Sequence, residues 1–291
     1  MKVEFLPSFL VLSSIALVLF VIWLYLKSRP AYNLPKVIWQ FWDKEELPPM
    51  IQMIKENNIK KLQGWTIRLL NEKTMGNYVS PFDIPPGYDG LGAAHKADWL
   101  RLYLLKCYGG VWMDASIILN DAKAIDALYT QSIQKESELT LFQFKSPLNV
   151  ENWFIMAPEK SRMIEAWFAE YDSAIRMGFT NYKKKLWKEG VNTSCGRDED
   201  DIEDTYFTQH YGMQRILQRG LVKGPNIIVN KAEESMLKVD FVCDIKDEKE
   251  RMACLTKNYS DFASLHRLPY IKINGINRKL PVNWKEYFET N

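Results

Sequence analysis

The amino-acid sequence predicts an α/β protein, an open sheet with helices on its faces, behind one N-terminal transmembrane helix. Three observations carry this. Residues 36–70 read as strand, helix, strand, the order that builds a parallel sheet covered by helices. Residues 93–113 run from an amphipathic helix through Gly109-Gly110 into a short apolar strand. The run from Phe5 to Leu26 contains no charged residue.

That apolar run is the first element. Its 22 residues span about 33 Å as a helix, enough for a bilayer core. A signal peptide has a shorter apolar core, about 7–15 residues. Here Trp23 and Tyr25 precede Lys27 and Arg29, and interfacial aromatics followed by cations mark a membrane exit, so the run reads as an uncleaved anchor. Residues 1–30 form tail and anchor, and 31–291, without repeat or Gly/Ser tract, form one domain. Orientation stays open. Lys27, Arg29 and Lys36 put that domain in the cytoplasm by the positive-inside rule. The sequons Asn192-Thr193-Ser194 and Asn258-Tyr259-Ser260 favour a lumenal one. Cys243 and Cys254 flank a short charged stretch and read equally as a disulfide loop or as free thiols.

Lys36 to Trp42 is a compact aromatic run after Pro35 and reads as a buried first strand. Pro48-Pro49 open a helix through Lys61, and Trp65 to Leu70 is a second strand. Ser80 to Gly92 is rich in Pro and Gly and reads as a loop. In Ala93 to Tyr108, Ala97, Leu100, Leu104 and Cys107 recur at helical spacing, and Gly109-Gly110 ends the helix. Val111 to Met113 is a strand with Asp114 at its end. Gln143-Phe144, Trp153 to Met156 and Ile227 to Val229 are further strands, and Ser161 to Tyr171 and Thr205 to Arg219 are helices. Arg197 to Asp204, with six acids in eight residues, is a solvated loop, and a basic, aromatic tail follows from His266.

With 47% hydrophobic and 25% charged residues the chain is globular rather than disordered. Its formal net charge of +2 is too balanced for a nucleic-acid-binding surface. No G-x-x-x-x-G-K-S/T loop, G-x-S-x-G elbow or H-E-x-x-H pair occurs. Asp98 and Arg101 are three apart and share one helix face. Asp114 ends the strand that this helix feeds, where open α/β sheets bind their ligands. Asp114 and Ser116 offer oxygen to a hard cation such as Mg²⁺ or Mn²⁺, which suits a nucleotide diphosphate.

Ala97-Asp98-Trp99-Leu100-Arg101, followed by Tyr108-Gly109-Gly110-Val111-Trp112-Met113-Asp114-Ala115-Ser116, resembles the capsular-polysaccharide-synthesis type of glycosyltransferase. That group is similar to the D-x-D sugar transferases, including yeast-type initiating mannosyltransferases. The resemblance extends upstream to Leu34 to Trp42, and downstream to Asn152 to Ala157 and Tyr206 to His210. It implies a GT-A-like, Rossmann-related mixed sheet with helices on both faces, over a catalytic domain of residues 31–291. It implies transfer, with retention, of a sugar from a nucleotide-sugar donor to a glycan, polysaccharide or glycolipid acceptor.

By the same resemblance, Asp98 and Arg101 contact sugar and ribose hydroxyls, and Asp114 lies at the nucleotide and its Mn²⁺ or Mg²⁺. Ile38, Trp39 and Gln40 lie near the base, and Asp114, Ser116 and His266 are the metal ligands. Ser116 stands where a second Asp often stands. A short amino tail before a single anchor resembles Golgi transferases and implies a lumenal catalytic domain. The alternative is an inactive, membrane-tethered carbohydrate-binding or scaffolding protein with the same fold.

Overall fold

A computed structural model describes residues 14–15, 17–21, 32–146, 149–194 and 201–290. The chain divides into two units, 1–33 and 34–291. In the first unit, residues 14–15 and 17–21 are helical, and Ile15, Leu17 and Phe20 are exposed. The expected transmembrane helix is not found: among the described residues no helix is long and apolar enough to cross a membrane. The other residues of 5–26 lie outside the described ones, so the helical stretch that can be followed is too short for a span.

The second unit is a mixed α/β fold. Strand β1 (Val37–Phe41) is followed by helix α1 (Pro49–Lys61) and strand β2 (Thr66–Leu70). Pro49 opens α1, where a missing N–H costs nothing, and Lys60 and Lys61 lie in its last turn, favourable for the helix dipole. Helix α2 (Ala93–Tyr108) leads into β3 (Gly110–Met113). Then follow β4 (Ile117–Leu119), α3 (Ala122–Gln134), β5 (Leu139–Gln143) and β6 (Val150–Ala157). Helices α4 (Arg162–Met177), α5 (Phe179–Lys188) and α6 (Thr208–Arg219) precede β7 (Ile227–Lys231). The chain closes with α7 (Lys238–Val242), α8 (Glu248–Ser260), α9 (Phe262–Leu265), β8 (Tyr270–Lys272) and α10 (Trp284–Glu289).

The main sheet has the order β2-β1-β3-β6-β5-β7, and β4 pairs with β8 in a second, small sheet. β1 is parallel to β2 and β3, whereas β6 runs antiparallel to β3 and β5. The central strands are buried along nearly their whole length, as a sheet covered on both faces requires. Trp39, Phe41, Trp112, Leu141 and Ile155 join one core with α2, α4 and α6. Met50, Ile51 and Ile54 of α1 join a second core with β4, β8 and the C-terminal helices.

Two glycines fix how α2 enters the sheet. Gly109 and Gly110 have φ of 60° and 97°, a region that costs a side chain strain. A Cβ on Gly110 would lie 2.6 Å from Val37 Cγ1 and 2.7 Å from the Val37 carbonyl. This close approach lets β3 pair with β1.

Helices α3, α5 and α8 are additions to the sequence reading. Beyond Asp114, Ile117 to Leu119 do not prolong β3 but form β4 of the separate β4–β8 sheet. The acidic loop lies partly outside the described residues; of its remainder, the Asp201 and Asp204 carbonyls accept from Lys183 Nζ at 2.6 and 3.1 Å. Cys243 and Cys254 form a disulfide.

Candidate active site

β2 lies on one side of β1 and β3 on the other. The strand order reverses there, and at such a reversal the carboxyl ends of the strands splay and leave a crevice. A cavity of about 620 Å³ opens at this place. Phe41, Trp42 and Asp43 enter it from the end of β1, and Asp114, Ala115 and Ser116 from the end of β3. Asp98 and Arg101 reach it from α2, Glu151 and Asn152 from β6, and Lys272 from β8.

The three side chains singled out by sequence converge. Arg101 donates to Asp98 Oδ1 at 2.6 Å and to Asp114 Oδ1 at 3.3 Å. Its side chain is 5% exposed, and its guanidinium carbon lies 5.0 Å from the Trp112 ring centre. The helical spacing of three places Asp98 beside Arg101, and the Gly-Gly turn brings Asp114 back to both. Further polar groups lock the cluster. Gln209 Oε1 accepts from Arg101 at 2.8 Å and from Asn152 at 2.6 Å, and Gln209 Nε2 donates to the Asp98 carbonyl at 2.6 Å. Trp112 Nε1 donates to Asp114 Oδ1 at 2.8 Å. His95 Nδ1 lies 3.4 Å from Asp98 Oδ2.

Burying such an ion cluster costs solvation that Coulomb attraction repays only with good geometry. Burial alone would push the Asp114 carboxyl up. The charges of Lys272 and Arg101, with hydrogen bonds from Lys272 and Trp112, outweigh that and hold it below the usual carboxylate range. Glu151 shows the opposite balance. Burial drives its carboxyl up to about 7, against the hydrogen bond from Trp153 Nε1 and the Lys272 charge.

Two expected contacts are corrected. Ile38, Trp39 and Gln40 do not line the cavity. They are buried within β1, and Trp39 Nε1 donates to the Gly109 carbonyl at 2.9 Å. Only the end of β1 reaches the crevice, with Phe41, Trp42 and Asp43. His266 also lies outside the cavity. Its ring packs 4.4 Å from that of Tyr287, with Nε2 3.3 Å from the Tyr287 carbonyl.

Lys272 is the residue that sequence reasoning missed. Its Nζ donates to Asp114 Oδ2 at 2.8 Å and to Ser116 Oγ at 2.7 Å. The two oxygens expected to hold a divalent cation thus hold an ammonium. Among the described residues no group of three or more His, Cys, Asp or Glu side chains is placed to hold a metal. With the Lys272 ammonium seated on both oxygens, this donor set does not fit the expected Mn²⁺ or Mg²⁺. Tyr270 and Ile271 are buried and Lys272 is not, and three residues are too few to show a strand period, so no local signal marked it.

The sheet, the crevice at its reversal and the Asp-Arg-Asp cluster define a mixed α/β domain with a charged cleft, and its family follows from the sequence match. Residues 25–171 match the capsular polysaccharide synthesis protein family, and the chain belongs to it. It is similar to O-glycosyltransferase braB of Annulohypoxylon truncatum, 26% identical over 186 residues, 58% of this chain and 41% of that protein. It is similar to Glycosyltransferase afumC of Aspergillus fumigatus, 30% identical over 150 residues, 45% of this chain and 38% of that protein. The chain thus spans about two fifths of the length of these relatives. A solved structure, PaToxG Glycosyltransferase, aligns with a TM-score of 0.39 at 16% identity, over 66% of this chain and 89% of its own.

Proposed function

We propose that this chain is a glycosyltransferase that moves a sugar from a nucleotide-sugar donor to a hydroxyl of a glycan, polysaccharide or glycolipid, with retention at the anomeric carbon. The observation that carries the reading is the convergence of Asp98, Arg101 and Asp114 on one cavity at the strand reversal, in a chain whose relatives are named as glycosyltransferases. The reaction exchanges the anomeric carbon's bond to a diphosphate oxygen for a bond to the acceptor oxygen. It releases nucleoside diphosphate and one proton.

Each group has a matching task. Asp98 and Asn152 present acceptors and donors for sugar hydroxyls. Arg101 gives a fixed planar fork held between two carboxylates. Burial in the crevice keeps water from the anomeric centre as positive charge develops there. The anchor at residues 1–30 and a lumenal, Golgi-like location are part of the same proposal. The disulfide, a bond typical of oxidising compartments, and the exposed sequon at Asn192 support the lumenal side.

Asp114→Asn tests the activity. A panel of nucleotide sugars should show wild-type donor hydrolysis or transfer, with product configuration read by proton NMR. The variant should lose at least about a hundredfold in rate, since it removes a charge from a preorganised cluster. Wild-type rates in a folded Asp114→Asn protein would refute the assignment.

A further inference from the structure

We infer that Lys272 occupies the seat of a divalent cation, and that with Arg278 it holds the donor diphosphate without a metal. The inference rests on the nucleotide-sugar reading above. An ammonium has three N–H donors. Asp114 Oδ2 and Ser116 Oγ take two of them at 2.8 and 2.7 Å, and Lys272 lines the cavity. A divalent ion bound to the same two oxygens would have to lie almost on the Lys272 nitrogen, against its positive charge.

The lysine is held in place by the backbone. Lys272 is paired with Ile117 across β4 and β8, its N–H donates to the Met236 carbonyl at 2.9 Å, and the Ile273 N–H donates to the Ser116 carbonyl at 2.9 Å. The side chain is 14% exposed. It therefore has little room to swing clear without breaking two charge-assisted contacts.

Arg278 supplies the second charge. It lines the cavity from the turn after β8, with its guanidinium carbon 5.6 Å from the Trp42 ring centre. Among the described residues it makes no ion pair within 4.0 Å. The acids on that wall are otherwise engaged. Asp244 pairs with Lys145. Asp240 accepts from Asn274, Asn277 and Tyr259. Two single charges from Lys272 and Arg278 thus replace the double charge of a metal ion in facing a diphosphate.

Calorimetric titration of the purified full chain with UDP, GDP, ADP and dTDP, in EDTA and in Mn²⁺, tests this. At least one nucleotide should bind in EDTA, and Mn²⁺ should leave its affinity within about twofold. Lys272→Met should weaken binding in EDTA about tenfold or more, the worth of a charged hydrogen bond, while Lys272→Arg, which keeps the charge, retains most of it. Arg278→Gln, which breaks no ion pair within 4.0 Å among the described residues, should weaken binding about fivefold. Binding that requires Mn²⁺, or wild-type affinity in EDTA for Lys272→Met, would overturn the inference and leave the donor reading standing. No binding of any of the four in either condition would overturn the donor reading itself. The wild-type titrations decide even if Lys272→Met does not fold.

Discussion

At the scale of the residue, the site is a set of charges whose values depend on each other. Asp114 stays ionised because two cations face it, and Glu151, which lines the same cavity from β6, is driven towards neutrality by burial. The Glu151 shift makes a pH prediction with a definite sign. Its folded-state pKa of about 7 lies above the ordinary value of 4.5, so the folded chain binds the extra proton between these pH values. Stability linked to this proton is present below about pH 4.5 and is lost as pH rises through 7. Glu151→Gln removes the linkage. Relative to wild type, it should gain stability on the order of 1–3 kcal/mol between pH 5 and pH 8.5, read by urea denaturation at the two pH values. An equal difference at both would show that burial does not hold the carboxyl neutral.

At the scale of the element, the α2-turn-β3 unit is the most closely determined part of the fold. Its residues are contiguous, so helical spacing and Gly109-Gly110 specify the local structure without help from elsewhere. Gly110→Ala should destabilise by more than about 2 kcal/mol, because its Cβ would meet the Val37 carbonyl at 2.7 Å and its φ is 97°. Chemical denaturation checks this, and an unchanged midpoint would mean that the β1–β3 approach can relax. The β4–β8 pair is the contrasting case. Each strand has three residues, too few for a period-2 pattern to stand out, and their contact joins positions about 150 apart in sequence. Helix α8 was equally hard to read. Its apolar residues are few, and Leu255 and Tyr259 alone in it are fully buried.

At the scale of the whole molecule, the lumenal proposal turns on which sequon is open. Asn192 is exposed, with its side-chain oxygen accepting from the Ser194 N–H at 2.9 Å. Asn258 lies within α8, and its amide donates to the Cys254 carbonyl at 2.9 Å beside the disulfide. Expressed in a secretory-pathway host, the chain should carry one glycan that endoglycosidase removes. Asn192→Gln should abolish that mass shift and Asn258→Gln leave it unchanged. A chain without any glycan would contradict the lumenal proposal, and one modified at Asn258 would show that its helical placement and engaged amide do not close that sequon.

The sequence by itself determined the strand-helix-strand opening, the helix that carries Asp98 and Arg101, and the place of Asp114 at the end of its strand. These depend on residues a few positions apart, whose periodicity and glycines report local backbone geometry. Only the tertiary structure decided what surrounds Asp114. Lys272 reaches it from 158 residues away, through a strand register that no local pattern encodes, while His266, six positions earlier, is turned onto Tyr287. The identity of the positive charge beside the diphosphate seat is therefore a property of long-range pairing.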